Sequence, residues 1–112
     1  MRKIIFSFII LLLSSCATVS DLRENAPIVT GESSKSSSDY AACVAAKWGE
    51  THYTVTSVPI KNGIAIMLPN STAGVDAVVD IVNVDKGVSY KLYERAPSLT
   101  PKRIDDAITS CK

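Results

Sequence analysis

The reactive side chains of this sequence are few, and they are not arranged as catalysis or metal binding requires. His52 is the only histidine, whereas a zinc site needs several His or Cys ligands. No Gly-x-Ser-x-Gly motif marks a serine as a nucleophile, and no glycine-rich loop is present that could bind a phosphate group. The sequence therefore predicts a protein with no catalytic residues, no metal and no cofactor.

The carboxylates lead to the same prediction. Asp105 and Asp106 are neighbours in a predicted helix, where adjacent side chains point about 100° apart. They are better explained by a favourable interaction with the helix dipole than as a catalytic pair. Asp76, Asp80 and Asp85 are too widely spaced for a calcium loop, and the loop's glycine and terminal Glu are missing. An enzyme is not expected.

The N-terminal segment has the layout of a secretory signal peptide. A positively charged start, Met1-Arg2-Lys3, precedes a mostly apolar run over residues 4–13, and two serines follow before Cys16. The end of this stretch, Leu13-Ser14-Ser15-Cys16, resembles the lipobox of bacterial lipoproteins, in which Leu stands three residues before the Cys. The resemblance implies that residues 1–15 are removed and that the thiol of Cys16 is joined to diacylglycerol.

Two alternatives to the lipobox remain open. A transmembrane anchor would need about 20 apolar residues, and the apolar run is roughly half that long. An ordinary signal peptidase could instead cut near the two serines and release a soluble periplasmic protein. The cysteine count favours lipidation, because modification of Cys16 leaves an even pair, Cys43 and Cys111.

The residue after the lipobox bears on location. Ala17 is not the Asp that signals inner-membrane retention in enteric lipoproteins. The family rule therefore implies a lipid anchor in the periplasmic face of the outer membrane, with the inner membrane as the less favoured destination.

Length and charge indicate that the mature chain is one small domain without the excess of positive charge that nucleic-acid binding requires. Removal of residues 1–15 from the 112-residue chain leaves 97 residues, and the loss of Arg2 and Lys3 leaves ten basic against eleven acidic side chains. The net charge of −1 predicts no nucleic-acid partner.

Residues 16–38 are expected to be the lipidated Cys and a flexible tether. The segment is rich in serine and charged residues and has few large apolar side chains, so it cannot offset its ordering entropy by burial. As a coil it would reach about 25 Å from the membrane. In an alternative interpretation, its serine-rich part threads into a partner or a cell-wall pore.

Residues 39–112 are predicted to form a small α+β domain. The first helix begins at Ser38 or Asp39 and ends at Gly49, with Tyr40 and Trp48 on a buried face, so core packing is expected of Trp48 rather than a binding surface. Hairpin turns at residues 61–63 and 85–87 separate strands, although the segment over residues 75–82 could begin with a helical turn. The four predicted antiparallel strands cover residues 52–58, 64–68, 78–84 and 88–95.

The last predicted helix follows Thr100, which is expected to be its N-cap, and Pro101. Its apolar stripe ends in Cys111, and Cys43 lies on the buried side of the first helix. Both cysteines belong to an exported domain, so we infer a Cys43–Cys111 disulfide. A redox-active pair is the alternative, but no Cys-x-x-Cys spacing exists.

The predicted architecture is thus a helix, a four-stranded antiparallel sheet and a helix, with both helices on one face of the sheet and linked by the disulfide. The outward side of the last strand carries Lys91, Tyr93 and Arg95. Tyr and Arg are enriched at interface hot spots, so these residues are the predicted partner contacts; an ordinary solvated sheet face is the alternative.

Three function classes fit this architecture. The leading one is a non-enzymatic accessory, structural or binding subunit of the cell envelope that acts through protein contacts. A periplasmic inhibitor of a lytic enzyme such as lysozyme is the alternative, although the Ser-Gly and Thr-Lys-Gly motifs of membrane-bound lysozyme inhibitors are absent. A phage-exclusion lipoprotein that masks a receptor is the third.

Overall fold

The computed structural model describes residues 18–51, 54–70 and 74–112. Within these ranges the chain forms three helices: α1 (Val19–Arg23), α2 (Ser37–Gly49) and α3 (Lys102–Ser110). The same ranges contain five strands: β1 (Val29–Ser33), β2 (Thr56–Ile60), β3 (Gly63–Asn70), β4 (Gly74–Val84) and β5 (Gly87–Glu94). The segment over residues 75–82 is strand throughout.

The strands form one antiparallel sheet in the order β1-β5-β4-β3-β2. The predicted fold class is therefore wrong in two respects. The sheet has five strands rather than four, and the helices do not all lie on one face: α2 and α3 cover one side, whereas α1 packs on the other. Pro59 is tolerated in β2 because this strand is at the sheet edge.

The additional strand comes from the stretch expected to be a flexible tether. β1 pairs with β5 from Val29 opposite Leu92 to Ser33 opposite Val88. Gly31 makes this pairing possible, because a Cβ at that position would collide with the ring and hydroxyl of Tyr90. The expectation of an unstructured segment is thus wrong for residues 18–33, and the folded domain begins well before residue 39.

The turn between β4 and β5 lies directly against the end of β1. Gly87 has a φ of 138°, and a Cβ on it would collide with the carbonyl oxygen of Ser33 in β1. A side chain at residue 87 would therefore strain the turn and push β1 away from β5.

The main core lies between the sheet and the α2–α3 layer. Trp48 is completely buried, as predicted, and its indole Nε1 donates a hydrogen bond of 3.1 Å to the carbonyl oxygen of Ile104 in α3. The hydroxyl of Tyr40 donates one of 2.6 Å to the carbonyl oxygen of Ile108, while its ring stacks on Tyr90 with centroids 5.0 Å apart. Trp48 and Tyr40 therefore join α2 to α3, and Tyr40 also connects this helix layer to the sheet.

The predicted disulfide is confirmed. Cys43 in α2 is bonded to Cys111 at the end of α3, with Cα atoms 5.8 Å apart. The predicted cap of α3 is wrong: the N-cap is Pro101, which makes no side-chain capping bond. Thr100 instead donates its hydroxyl to the carbonyl oxygen of Ala96 in the preceding turn.

Helix α1 begins with a capping box. Thr18 Oγ1 accepts from the backbone N–H of Asp21, whose carboxylate accepts from the backbone N–H of Thr18. Leu22, only 2% exposed, anchors the helix by packing against Ala65 of β3 and Val78 of β4. Burial of one leucine contributes roughly 1.5–3 kcal/mol, so this contact is the main apolar attachment of α1.

Replacing Leu22 with Ala is expected to release α1 while the sheet stays folded. Truncation of a buried leucine costs about 2–5 kcal/mol, and Leu22 is the one buried residue of this five-residue helix. Trypsin cleavage after Arg23 should accelerate, and amide exchange should rise in residues 18–28. Leu99→Ala is the matched control because Leu99 is 81% exposed. Equal cleavage rates in both variants would show that Leu22 does not hold α1.

Candidate functional site

The side of the sheet opposite α2 and α3 contains an open groove beside α1. Its volume is about 330 Å³. Strand alternation creates it, because Val88, Tyr90 and Leu92 point into the core while the residues between them point to the other side. The groove is lined by residues of β4 and β5: Asp80, Val82, Val84, Ser89, Lys91 and Tyr93.

Two of the three predicted contact residues lie in this groove. Lys91 is exposed and stands directly across the ladder from Asp80, and Tyr93 is half-buried opposite Val78. Among the described residues Lys91 has no ion-pair partner. The groove thus combines an available ammonium group and a phenol with the side chain of Val84, which is 42% exposed. This combination suits an amphipathic surface.

Asp80 at the groove wall is neutralised by α1. Arg23 binds its carboxylate with two hydrogen bonds, from Nη2 at 2.6 Å and from Nε at 2.8 Å. This hydrogen bonding is the largest cause that raises the pKa of Arg23, and the nearby Tyr93 also raises it. The pair is partly exposed, so its contribution to stability is small, but it fixes α1 against the groove.

The third predicted contact residue, Arg95, is not part of the groove. Its Nη2 lies 2.8 Å from Oδ1 of Asp76, and its backbone N–H donates to the carbonyl oxygen of Asp76 at 2.9 Å. The same carboxylate accepts hydrogen bonds from Asn70. Arg95 therefore fastens the start of β4 to the end of β5, and only Lys91 and Tyr93 are brought together.

A pair of carboxylates that was not predicted from the sequence lies between the sheet and α3. Glu94 is 4% exposed, and the described residues provide no hydrogen-bond donor to either of its carboxylate oxygens or to Oδ1 of Asp105. Burial is the main cause that raises the pKa of Glu94 to about 8, and the hydrogen bond and negative charge of Asp105 raise it further. Burial and the neighbouring Asp105 therefore favour the protonated form of the Glu94 carboxyl over the charged form.

The alternation of β5 could have revealed this pair. Glu94 continues the series Val88, Tyr90 and Leu92, so the period of two places it on the buried face. The pair lies outside the four cavities described, and its burial links the protonation of Glu94 to the stability of the fold.

A larger cavity of about 660 Å³ lies between the end of β1 and the β4–β5 turn. It is open to solvent, and both carboxylate and ammonium groups line it: Glu32, Asp85, Lys86 and Lys112. The balance of charges gives it no preference for a ligand of one sign.

The remaining sequence-predicted residues have separate positions. Cys16 and His52 lie outside the described residues, whereas Asp76 and Asp80 are engaged in the ion pairs above. In the part of the chain that the structure describes, no three His, Cys, Asp or Glu side chains are grouped so that they could hold a metal ion. None of the described helices is both long and apolar enough to cross a bilayer.

Comparison with protein-family models, with curated proteins and with solved structures finds no match to this chain. A function is therefore inferred from the groove and from the amino-acid sequence that precedes α1.

Proposed function

We propose that this protein is a lipoprotein of the bacterial envelope. Acylated Cys16 holds it at the periplasmic face of the outer membrane, where it acts as a non-enzymatic accessory, structural or binding subunit through contacts with a protein partner. The observation that carries the proposal is the sequence Leu13-Ser14-Ser15-Cys16 after a short apolar run.

The disulfide and the use of the polar residues support this proposal. A bridge between Cys43 and Cys111 suits an oxidising compartment outside the cytoplasm. The ion pairs of Arg23 and Arg95 join elements of the fold, and the carboxyl group of Glu94 is buried against Asp105. These groups serve structure, which favours binding over catalysis.

Replacing Cys16 with Ser tests the anchor in cells. The wild-type protein should sediment with outer membranes, and the Cys16→Ser variant should lose the lipid and leave that fraction. Chemical cross-linking in cells should then give a specific adduct with a protein for the wild type and much less of it for the variant. If both forms fractionate identically, the lipid anchor is wrong.

The same preparation separates the proposal from the inhibitor alternative. The accessory function predicts that lysozyme activity is unchanged when the purified protein is added in excess. Stoichiometric inhibition of lysozyme would assign the protein to the inhibitors of lytic enzymes instead.

A further inference from the structure

The ordered domain begins very close to the proposed lipid anchor. Thr18 is the N-cap of α1 and is followed directly by the helix. Only Ala17 stands between Cys16 and Thr18 in the sequence, so two residue steps of about 3.8 Å each separate the proposed anchor from the helix. The acyl chains on Cys16 must enter the hydrocarbon. The start of α1 is therefore held at the membrane surface, and the expected reach of about 25 Å for a coil does not apply.

The position of α1 determines which side of the domain this anchor brings to the membrane. Leu22 and the Arg23–Asp80 pair fix α1 on the groove side of the sheet, and the Cys43–Cys111 bridge lies in the helix layer on the opposite side. Thr18, Ser20 and Asp21 are exposed on the outer surface of α1. A chain leaving Thr18 toward the bilayer consequently starts from the groove side.

We propose that the groove side of the sheet lies against the bilayer and that Lys91 and Tyr93 contact the lipid headgroups. This inference rests on the proposed acylation of Cys16. The ammonium group of Lys91, which has no ion-pair partner in the described part of the chain, suits lipid phosphate, and the amphipathic ring of tyrosine is enriched at membrane interfaces. The occupant of this surface is the bilayer that holds the acyl chains of Cys16.

The charges on this side give no net attraction to an anionic bilayer, so it is the proposed anchor that holds the domain in place. Arg23 and Arg95 are already neutralised by carboxylates of β4, and Asp21 and Glu24 add negative charge on α1. Lys91 is thus a local contact. In this orientation Lys91 and Tyr93 contact lipid, and the helix layer and the sheet edges remain accessible to a protein partner.

Fluorescence quenching by the membrane tests the orientation. The acylated protein is reconstituted into vesicles of phosphatidylethanolamine and phosphatidylglycerol that contain a headgroup-spin-labelled lipid. A fluorophore is attached to Lys91→Cys or, as the matched control, to Lys47→Cys, which is exposed on α2 at the other side of the sheet. Quenching should be several-fold stronger at residue 91. Equal quenching, or stronger quenching at residue 47, would overturn the orientation.

The intact mass of each labelled sample separates the two proposals. A mass without acyl chains would refute the proposed function and this inference together, whereas an acylated sample with equal quenching at both positions would refute the orientation alone. A photo-crosslinking residue in place of Tyr93 supplies the second arm in cells. Phospholipid adducts support the inference, whereas a protein adduct would overturn it and show that this surface binds a protein partner.

Discussion

A double variant with Cys43→Ala and Cys111→Ala is expected to lose about 4 kcal/mol of unfolding free energy, since the bridge closes a loop of roughly 70 residues. The sequence separation of the two cysteines is 68. The bridge joins α2 to the end of α3. Without it, the unfolded chain gains the conformational entropy that closure of the loop removes. For a domain of this size the melting temperature should fall by roughly 20 °C. Chemical denaturation of a soluble form with Cys16→Ser measures both effects.

The reduced form of the Cys16→Ser protein, which retains Cys43 and Cys111, is the control for lost packing. It keeps both sulfur atoms, one of which belongs to the fully buried Cys111, and loses only the covalent bond. Most of the destabilisation should therefore appear on reduction alone. If the reduced and oxidised proteins unfold at the same denaturant concentration, the bridge is not what stabilises this core.

The second large effect is expected at Glu94. Its pKa is raised from an ordinary 4.5 to about 8, mainly by burial and also by the adjacent Asp105. The folded state therefore binds a proton that the unfolded state releases between these two values. The contribution of the Glu94 carboxyl to the free energy of unfolding is largest below about pH 4.5, and it falls as the pH rises toward 8. The loss is at most about 5 kcal/mol, because one pKa unit corresponds to 1.36 kcal/mol.

Glu94→Gln should abolish this pH dependence. The amide remains neutral and keeps a donor that can reach Asp105, so the variant should resemble the wild type at pH 5 and be clearly more stable at pH 9. Unfolding free energies at pH 5, 7 and 9 give the comparison. Glu32→Gln is the matched control, since Glu32 is exposed on a strand. Parallel pH profiles for the wild type and Glu94→Gln would contradict the buried-carboxyl account.

The helix layer and the central strands could be predicted because their patterns are long. α2 repeats Tyr40, Val44 and Trp48 on one buried face, and all three are completely buried in the structure. The stripe of α3 places Cys111 beside Cys43, which made the disulfide predictable. Alternation in β5 likewise separated Lys91 and Tyr93 from the core.

The N-terminal elements were missed because they are short and depend on distant partners. β1 has five residues, includes Gly31 and has no continuous apolar face, so its stability comes from the ladder with β5 and from the fit of Tyr90 over Gly31. α1 has a single fully buried residue, Leu22, and one residue defines no helical period. The capping box of Thr18 and Asp21 was the local signal available for α1.

The order of the N-terminal elements α1 and β1 changes the interpretation of the groove. A flexible tether would have let the domain stand away from the membrane in any orientation, with Lys91, Tyr93 and Arg95 free to meet a protein. In the proposed lipoprotein, a helix that starts directly after Thr18 restricts the orientation of the domain at the membrane, and the ion pair of Arg95 with Asp76 means that Arg95 is not part of the groove.

The intact mass of the protein purified from membranes, before and after reduction and alkylation, tests the central claim most directly. The account predicts the mass of residues 16–112 plus a diacylglycerol and an amide-linked acyl chain on Cys16, with Cys43 and Cys111 alkylated only after reduction. A product without acyl chains, or one with both thiols reactive from the start, would contradict a lipid-anchored, disulfide-bridged envelope protein.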